Sequence, residues 1–370
     1  MPEPLSVDVL DRPEQLSTCE SEWRRCFERS QASPYLSYDW FAAAIQHRQS
    51  DGALRVCLVR HEGELAAVVP LELVRDGRWH VILRFAGGGW APRNTCVVAD
   101  AAVRLPLLSI VLQTLHQRQD RWAYCHLKRI PADSPLRETW SDAAHTADAH
   151  QTGATVLIML PATWDEYWST LSESHRKNIR RRTNLLTRTA GALRLERVGP
   201  GDSADVGVLG RLIDDALAIS RRSWQGDADS GRAIGDPHVE AFFRDVTAKL
   251  GQRGLIDLSV LYAADRPVSF VWGAARRPTS TICKLGFDRD LADTSPGLVH
   301  LAMLLADSIE RKLTEIDFGH EFSDYKRRWS KVTQDLYALR IYPRNFRSKI
   351  VRWWHERQER RQPVAAGLRE

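Results

Sequence analysis

A Ser-Pro-Gly sequence in the last third of the chain has the residue types that begin a helix with an anion-binding end. Ser295 is a favourable N-cap, and Pro296 falls at the first helical position, where its missing N–H costs nothing. Gly297 keeps bulk away from the first turn. The backbone N–H groups of Gly297, Leu298 and Val299 are therefore the predicted contacts of a phosphate group. The same signals also describe an ordinary capped core helix.

Groups able to exchange protons follow that helix, in the sequence Asp-Phe-Gly-His-Glu-Phe-Ser-Asp-Tyr-Lys. Asp317 is one of these carboxylates and lies at the predicted end of a strand. His320 is a candidate base because an unperturbed imidazole has a pKa of about 6.5, although a lone histidine beside a glycine turn is more often structural. Glu321 is a candidate substrate contact, and Asp324 is a further carboxylate.

The same order of elements occurs in both halves of the chain. In the first half the patterns predict helices at 13–29 and 39–48, antiparallel hairpins over 54–87, a helix at 103–117 and a strand at 122–130. In the second half they predict strands at 154–160 and 192–198, helices at 163–188, 206–223 and 239–252, a strand pair around 265–267, and the helix that begins at 296. The sequence thus predicts an α/β (α+β) protein of two tandem domains, each a mixed, mostly antiparallel sheet flanked by helices.

Domain limits follow from a change in composition. Between Asp133 and Thr152 the residues are small and polar, which favours a boundary there. We predict domains over 1–145 and 146–342 and a basic C-terminal segment over 343–370. Only the second domain carries the Ser-Pro-Gly helix start, so the first is interpreted as degenerate.

Bulk composition indicates an ordinary globular protein. The 370 residues are too many for one typical domain, and 43% are hydrophobic while 27% are charged. No apolar run approaches the ~20 residues that cross a bilayer, and the polar N-terminus does not resemble a signal peptide, so we predict a cytoplasmic location.

The cysteines lack metal-ligand spacing and predict neither a metal site nor a disulfide framework; they are Cys19, Cys26, Cys57, Cys96, Cys125 and Cys283.

Positive charge is concentrated in two segments, although the net charge is only +5. The first segment lies on the helix predicted from Thr163, where Glu166 completes a capping box. Few Asp or Glu residues lie among its Lys and Arg residues. We therefore predict that Lys177 and Arg180 attract phosphate groups at a cleft for a donor or an acceptor substrate. The alternative is a solvated helix face.

The second basic segment is the C-terminal stretch from Arg344 to Arg361. Its apolar residues, spaced as on one face of a helix, are Phe346, Ile350, Trp353 and Trp354. We predict that this face packs on the body of the protein. A membrane-surface or partner-protein role is the alternative, and nucleic-acid binding has less support because no reader motif accompanies the charge.

The second half also resembles a known family. The run SPGLVHLAMLLADSIERKLTEIDFGHEFSDYKRRWS, preceded by KLGFDRDLADT and IDLSVLYAADRPVSFVWGAA, is similar to the acetyltransferase domain of the CelD/BcsL type. That group, also called BioF2-like, belongs to the GNAT superfamily and is similar to the FemABX peptidyltransferases. The resemblance covers about Leu5 to Tyr342, by layout more than by residues in the first half. It implies two GNAT-like halves with the acyl donor in the second.

Roles for individual residues come from the same resemblance. The family's Tyr-Lys pair matches Tyr325 and Lys326, which implies catalytic roles, and Lys326 could stabilise an oxyanion. The family's Asp-Phe-Gly sequence matches at Asp317, which implies a role for Asp317 in acceptor binding or catalysis. Trp224 follows a helix where the family has an aromatic residue near the acceptor, and Trp272 lies on a strand expected to border the cleft. The chain departs from the GNAT pattern because the strand PVSFVWGAA lacks the glutamate that these enzymes frequently use as a base.

These features predict an N-acyltransferase that uses acetyl-CoA or another acyl-CoA as donor, without a metal, and an amine of a small molecule or sugar as acceptor. Two alternatives stay open. One is FemX-like aminoacyl transfer from charged tRNA, and the other is a non-catalytic accessory protein of envelope polysaccharide synthesis. The acceptor, the acyl chain length and the oligomeric state do not follow from the sequence.

Overall fold

The fold is given by a computed structural model that describes residues 5–47, 49, 52–76, 80–87, 89–137, 145–202, 205–226, 233–319 and 323–361. The strands in this part of the chain are β1 Ser6–Leu10, β2 Ala53–His61, β3 Glu64–Asp76, β4 His80–Phe85, β5 Val97–Val98, β6 Tyr124–Pro131, β7 His145–Met159, β8 Leu193–Val198, β9 Ile256–Ala263, β10 Arg266–Arg276, β11 Thr279–Phe287, β12 Glu315–Asp317 and β13 Thr333–Pro343. The helices are α1 Glu20–Arg29, α2 Tyr38–Gln46, α3 Leu107–Gln117, α4 Trp164–Thr170, α5 Glu173–Ala190, α6 Val206–Arg222, α7 Pro237–Gln252, α8 Pro296–Glu310, α9 Asp324–Arg327 and α10 Phe346–Arg361.

The tandem arrangement predicted from the sequence is confirmed. Each half contains a strand, two helices, three antiparallel strands, a helix and then a strand that pairs in parallel with the third of those strands. The parallel pairs are β4 with β6 and β11 with β12. The fold is therefore α/β, with a mixed and mostly antiparallel sheet in both halves.

Strands β7 and β13 connect the two sheets. Strand β7 pairs with β13 over its first part and with β12 through its last three residues, from Leu157 to Met159. Strand β13 pairs on its other side with β6 of the first half. The polar stretch that we interpreted as a boundary therefore forms the start of a strand from His145. Pairing with β13 satisfies the backbone along one side of this segment, and this overrides the weak strand preference of small residues.

The basic helix predicted from Thr163 is two helices. The capping box is present, because the Thr163 hydroxyl accepts from the Glu166 amide and the Glu166 carboxylate accepts from the Thr163 amide. The chain leaves the helical conformation at Leu171, and Ser172 then caps α5 by accepting from the amide of His175. A second N-cap inside the predicted helix thus restarts it.

The two halves share an aromatic core. Trp40 and Tyr35 from the first half pack against Trp272 and Phe242 from the second, with ring centroids 4.8 to 6.5 Å apart. All four side chains are buried. The Tyr35 hydroxyl also donates to the Thr281 carbonyl in β11 at 3.0 Å. Packing of these buried aromatic side chains therefore fixes the position of one half relative to the other.

Helix α10 packs on the body through a different face from the one predicted. The residues expected to pack inward, namely Phe346, Ile350, Trp353 and Trp354, are exposed. Val351 and Ser348 are buried instead, and the Ser348 hydroxyl donates to the Ala123 carbonyl at 2.8 Å. The prediction of an inward apolar face was wrong. The spacing of apolar residues shows that one face of a helix is apolar, but it does not show which face packs against the rest of the protein.

The described residues contain neither a membrane-spanning helix nor a metal-binding cluster. None of the helices there combines the length and the apolar character that a bilayer crossing requires. The same part of the chain contains no group of three or more His, Cys, Asp or Glu side chains arranged to hold a metal ion.

A buried charge network joins β8 to the sheet and to α8. The Arg197 side chain, almost fully buried, donates to both Asp257 oxygens at 2.7 Å and to Asp307 at 2.8 Å. We expect Arg197→Met to lower the free energy of unfolding by about 3 to 5 kcal/mol, because the buried carboxylate of Asp257 loses its charged partner, whereas Asp307 keeps Arg311. Urea unfolding measures this.

The control is Arg194→Met on the same strand. Arg194 is half-exposed and pairs with Glu196 at the surface, so its loss should cost no more than about 1 kcal/mol. Equal losses for the two variants would contradict the structural role of the Arg197 network.

Candidate active site

Strands β11 and β12 separate after a short parallel pairing, and the separation opens the second half's sheet. They pair from Thr279 and Glu315 to Thr281 and Asp317. Beyond this point the amide of Phe318 bonds to Val156 in β7, while β11 continues beside β10. A register shift in β11 leaves Cys283 as an extra residue at the same level. The bulge and the change of partner together produce a wedge between the strands.

A glycine closes the narrow end of this wedge. Gly319 has a positive φ of 73°, and a Cβ atom there would lie 2.7 Å from the Ile282 carbonyl oxygen. Only glycine fits such a close approach in a left-handed conformation. The Asp-Phe-Gly sequence therefore ends in the residue that lets this segment lie against β11.

The start of α8 lies beside the wedge and differs in detail from the prediction. Ser295 adopts a left-handed conformation, and its side chain does not cap the helix. Its carbonyl oxygen accepts from the amides of Leu298 at 3.1 Å and Val299 at 3.4 Å, so these two N–H groups are not free. Pro296 has no N–H. Within the described residues, the Gly297 amide has no hydrogen-bond partner and is the remaining donor for an anion.

Gly297 is needed for packing. A Cβ atom at this position would lie 3.3 Å from Leu285 and 3.4 Å from Phe287, both in β11. The missing side chain thus lets α8 pack closely on the sheet. Our interpretation that Gly297 keeps the ligand side of the helix clear stays a prediction beside this packing role.

A cavity of about 550 Å³ lies at the start of both α5 and α8. Its lining is polar and cationic and consists of Ser172, Ser174, His175, Asn178, Arg182, Ser295 and Arg328. Arg182 is half-buried and donates to the Asp293 carbonyl, which fixes the guanidinium next to the start of α8. Two guanidinium groups and two helix N-termini at one cavity make a site suited to phosphate groups.

His175 is the buried member of this cavity. Its side chain is packed edge-on against the Trp329 ring, with centroids 4.7 Å apart. In the part of the chain that the structure describes, its Nε2 atom has no hydrogen-bond partner. Burial, and secondarily the charge of Arg328, lowers the pKa of His175 below its ordinary value. The ring is therefore neutral near pH 7 and has a polar atom that a ligand could satisfy.

The predicted phosphate contacts on α5 lie outside this cavity. Lys177 is exposed and pairs with Glu173 at 2.7 Å. Arg180 lies 5.4 Å from the ring of Trp168 and lines a neighbouring groove of about 600 Å³.

The residues of α5 that do line the cavity of about 550 Å³ were not predicted from the sequence. Once α5 is restarted at Ser172, positions 175, 178 and 182 fall on one helix face. The signal that could have identified that face is Ser172 itself, because serine is a typical N-cap and helical spacing can be counted from it.

Tyr325 and Lys326 lie between α8 and the wedge. The Tyr325 hydroxyl is 3.5 Å from the Gly297 carbonyl, and the Lys326 ammonium donates to the Phe318 carbonyl at 2.7 Å. Burial raises the pKa of Tyr325 above its usual range, so its hydroxyl stays protonated at neutral pH. The structure thus brings both residues to the helix start that was predicted to hold the donor.

Asp317 is fully buried and holds three segments together. Its carboxylate accepts from the Thr155 hydroxyl of β7 and from the Gly319 amide, and it pairs with Arg93 of the first half at 2.8 Å. Both hydrogen bonds end on Oδ1, whereas Oδ2 faces Arg93 as an ion pair and has no hydrogen-bond partner among the described residues. The catalytic role predicted for Asp317 remains a hypothesis beside this structural one.

The remaining predicted site residues have different positions. Trp224 is exposed in the turn after α6, and its neighbour Gln225 donates to the Leu285 carbonyl of β11, so this turn lies beside the strand. Trp272 is fully enclosed in the aromatic core and faces no cleft, which corrects its expected place at the cleft border. His320 and Glu321 lie outside the described residues.

The first half contributes a loop to the edge of the wedge. The carbonyl of Trp90 accepts from the Cys283 thiol at 3.2 Å, and the ring of Trp90 lies 4.7 Å from the Lys284 ammonium. Arg93, on the same loop, reaches Asp317. The loop that carries Trp90 and Arg93 therefore contacts the second half next to the bulge of β11.

Comparisons with known proteins agree with this geometry. Residues 173–327 match the family model described as the acetyltransferase (GNAT) domain. No match was found among curated protein sequences. Among solved structures, FemX aligns with a TM-score of 0.58 at 11% identity, over 90% of this chain and 98% of FemX.

Two further solved structures give similar alignments. The C-terminal domain of a putative lysylphosphatidylglycerol synthetase from Agrobacterium fabrum has a TM-score of 0.56 at 12% identity, with 93% of this chain and 97% of that chain covered. L-PGS from Bacillus licheniformis has a TM-score of 0.55 at 12% identity, with 95% and 98% covered. At these identities the likeness shows the fold.

The repeated layout, the wedge beside α8 and the domain match define a tandem GNAT fold. Residues 173–327 are thus similar to the GNAT acetyltransferase domain, and the fold of the whole chain is similar to the folds of FemX, the synthetase domain and L-PGS.

The structural role of Asp317 can be tested by removing its charge. We expect Asp317→Asn to lower the free energy of unfolding by about 3 kcal/mol, because Arg93 then loses its buried partner. Urea unfolding measures this, with Asp335→Asn as a control, since Asp335 bonds Gln151 at an exposed site. If Asp317→Asn kept full stability but lost catalysis, the carboxylate would belong to the chemistry instead.

The buried histidine predicts how anion binding depends on pH. A bound anion raises the pKa of His175, so binding takes up a proton, and the affinity for sulfate, whose own charge is constant in this range, should rise as pH falls from about 7 toward the lowered pKa of the free imidazole. Calorimetric titration across this range measures the effect. His175→Gln should flatten the profile, whereas His116→Gln, at an exposed position of α3, should not. A slope that persists in His175→Gln would refute the coupling.

Proposed function

We propose that this protein is an N-acyltransferase that moves an acyl group, acetyl in the simplest case, from acyl-CoA to an amine of a small molecule or sugar. The observation that carries the proposal is the cationic cavity at the start of α8, the helix whose first turn packs on β11. An acyl-CoA donor has phosphate groups at one end and a thioester at the other. It therefore needs one cationic site for the phosphates and a second site for the thioester.

The proposed donor pose follows from the charges. Arg182, Arg328 and the Gly297 amide would hold the phosphates, and the Ser295 hydroxyl and His175 Nε2 would supply further polar contacts. The thioester end would then extend past Tyr325 into the wedge. Metal chemistry is not part of the proposal, because each of these contacts is supplied by backbone or side chains.

The transfer step needs a group that donates a proton to the leaving thiolate, and it needs a binding site for the amine substrate. The amine nitrogen attacks the thioester carbonyl, the C–N bond forms, the C–S bond breaks, and the amine loses a proton while the thiolate gains one. Tyr325 stays protonated at neutral pH, so we assign it the role of acid toward the leaving sulfur. Lys326 lies next to the wedge and would stabilise negative charge on the carbonyl oxygen.

A second candidate is aminoacyl transfer from charged tRNA. FemX aligns over nearly its whole length, and the outer surface of α5 carries Lys177, Arg180, Arg181 and Arg188 along its exposed positions. An acceptor stem could lie on that surface with its terminal phosphate in the cavity. The CelD/BcsL type and the accessory role in envelope polysaccharide synthesis remain proposals with no structural observation of their own.

Titration calorimetry of the full chain with acetyl-CoA tests the leading proposal. We expect binding in the micromolar range, weakened by about tenfold to a hundredfold in Arg182→Glu, because a charged hydrogen bond to phosphate is replaced by repulsion. Arg188→Glu is the matched control on the same helix, since Arg188 is exposed at the far end of α5. A folded protein that binds no acyl-CoA would contradict the proposal.

Charged tRNA separates the two candidates. If the chain binds aminoacyl-tRNA but not acetyl-CoA, and Arg188→Glu weakens that binding as much as Arg182→Glu does, the extended α5 surface is in use and the second candidate replaces the first. Release of free thiol from acetyl-CoA with a panel of amines would then identify the acceptor class for the first candidate.

A further inference from the structure

Helix α10 presents an apolar face to solvent. The exposed fractions are 78% for Phe346, 51% for Ile350, 56% for Trp353 and 50% for Trp354. These four residues are called the aromatic stripe below. Large apolar side chains are commonly exposed one at a time, but four on one short helix form a continuous patch, which usually marks an interaction surface.

The aromatic stripe lies opposite the face that holds the helix in place. With about 100° of rotation per residue, Ser348, Val351 and His355 fall on the side away from the stripe. Val351 and Ser348 are buried, and the Nδ1 atom of His355 is 2.9 Å from the Tyr342 hydroxyl. The helix is therefore fixed by one face, and the opposite face points away from the protein.

Positive charge accompanies the stripe. Residues 344–361 contain seven Lys or Arg and two Glu, a net charge of +5, which equals the net charge of the whole chain. Lys349 and Arg357 are exposed, and the guanidinium of Arg357 lies 5.1 Å from the Trp353 ring. All of the chain's excess positive charge is thus located in the segment that carries the exposed aromatic rings.

We propose that the aromatic stripe docks the protein on the surface of a bilayer that contains anionic lipids. Tryptophan and phenylalanine rings are favourable at the level of the lipid headgroups, and flanking cations are attracted to negatively charged headgroups. Helix α10 would lie in the plane of the interface, with the stripe toward the acyl chains and Val351 toward the protein. This docking is independent of the acyl donor.

Other occupants fit the charges less well. A second copy of the chain would bring two segments of charge +5 together, which opposes association through this face. A nucleic acid would require cations at the centre of the contact, whereas Ile350 and the two tryptophans occupy the centre here. Charge complementarity combined with apolar protrusion selects the anionic membrane surface.

Vesicle flotation of the full chain tests the proposal. We expect binding to phosphatidylcholine vesicles that contain about one third phosphatidylglycerol, no binding to phosphatidylcholine alone, and weaker binding as salt is raised. The double variant Trp353→Ser and Trp354→Ser should bind at least about tenfold more weakly, because two interfacial rings are lost. Its circular dichroism should match that of the unchanged chain, since both positions are exposed.

Two further variants make the result specific. Val206→Ser, at a position 80% exposed in α6, should bind like the unchanged chain. Trp353→Phe with Trp354→Phe should retain vesicle binding but lose quenching of tryptophan fluorescence by brominated lipids, because the remaining tryptophans stay away from the bilayer.

Three outcomes would overturn the proposal. The first is an unchanged chain that ignores anionic vesicles, and the second is a serine double variant that binds them as well as the unchanged chain does. The third is a chain that is dimeric in solution and becomes monomeric in the serine double variant, since the stripe would then be a contact between copies. Sedimentation velocity detects this last case.

Discussion

The carboxylate of Asp317 is the point on which the arrangement of the site depends. It receives one hydrogen bond from β7, one from the glycine that ends the Asp-Phe-Gly sequence, and an ion pair from Arg93 in the other half. A buried carboxylate is tolerated only when its partners are in place, so these three segments are held together at the end of β12. The position of the wedge beside α8 follows from that requirement.

The two halves have the same layout, yet they contribute differently to the site. The second half supplies the wedge, the cationic cavity and the helix start. The first half supplies the loop with Trp90 and Arg93 and one side of the aromatic core. Two halves of the same fold can have different functions in this way. Only one half needs a ligand site, whereas the other half can have a structural role through packing.

The sequence predicted much of the fold, since hydrophobic periodicity and turn residues report local structure directly. It also located the helix start at Ser295. It could not show that the Ser295 carbonyl would occupy two of the amides, because a left-handed conformation at serine has no local signal. The choice between Arg180 and Arg182 depended on the restart at Ser172, and the outward face of α10 depended on the body of the protein, so both needed three-dimensional context.

The return of β13 to the first sheet has a consequence for how the chain is made. Strand β6 gains its second neighbour only from β13, which is translated after all the strands from β7 to β12. Until then the open side of β6 is an unpaired edge that could pair with other strands. The first sheet is therefore incomplete while the second half is being made, and shortened products lacking β13 would be candidates for aggregation and chaperone capture.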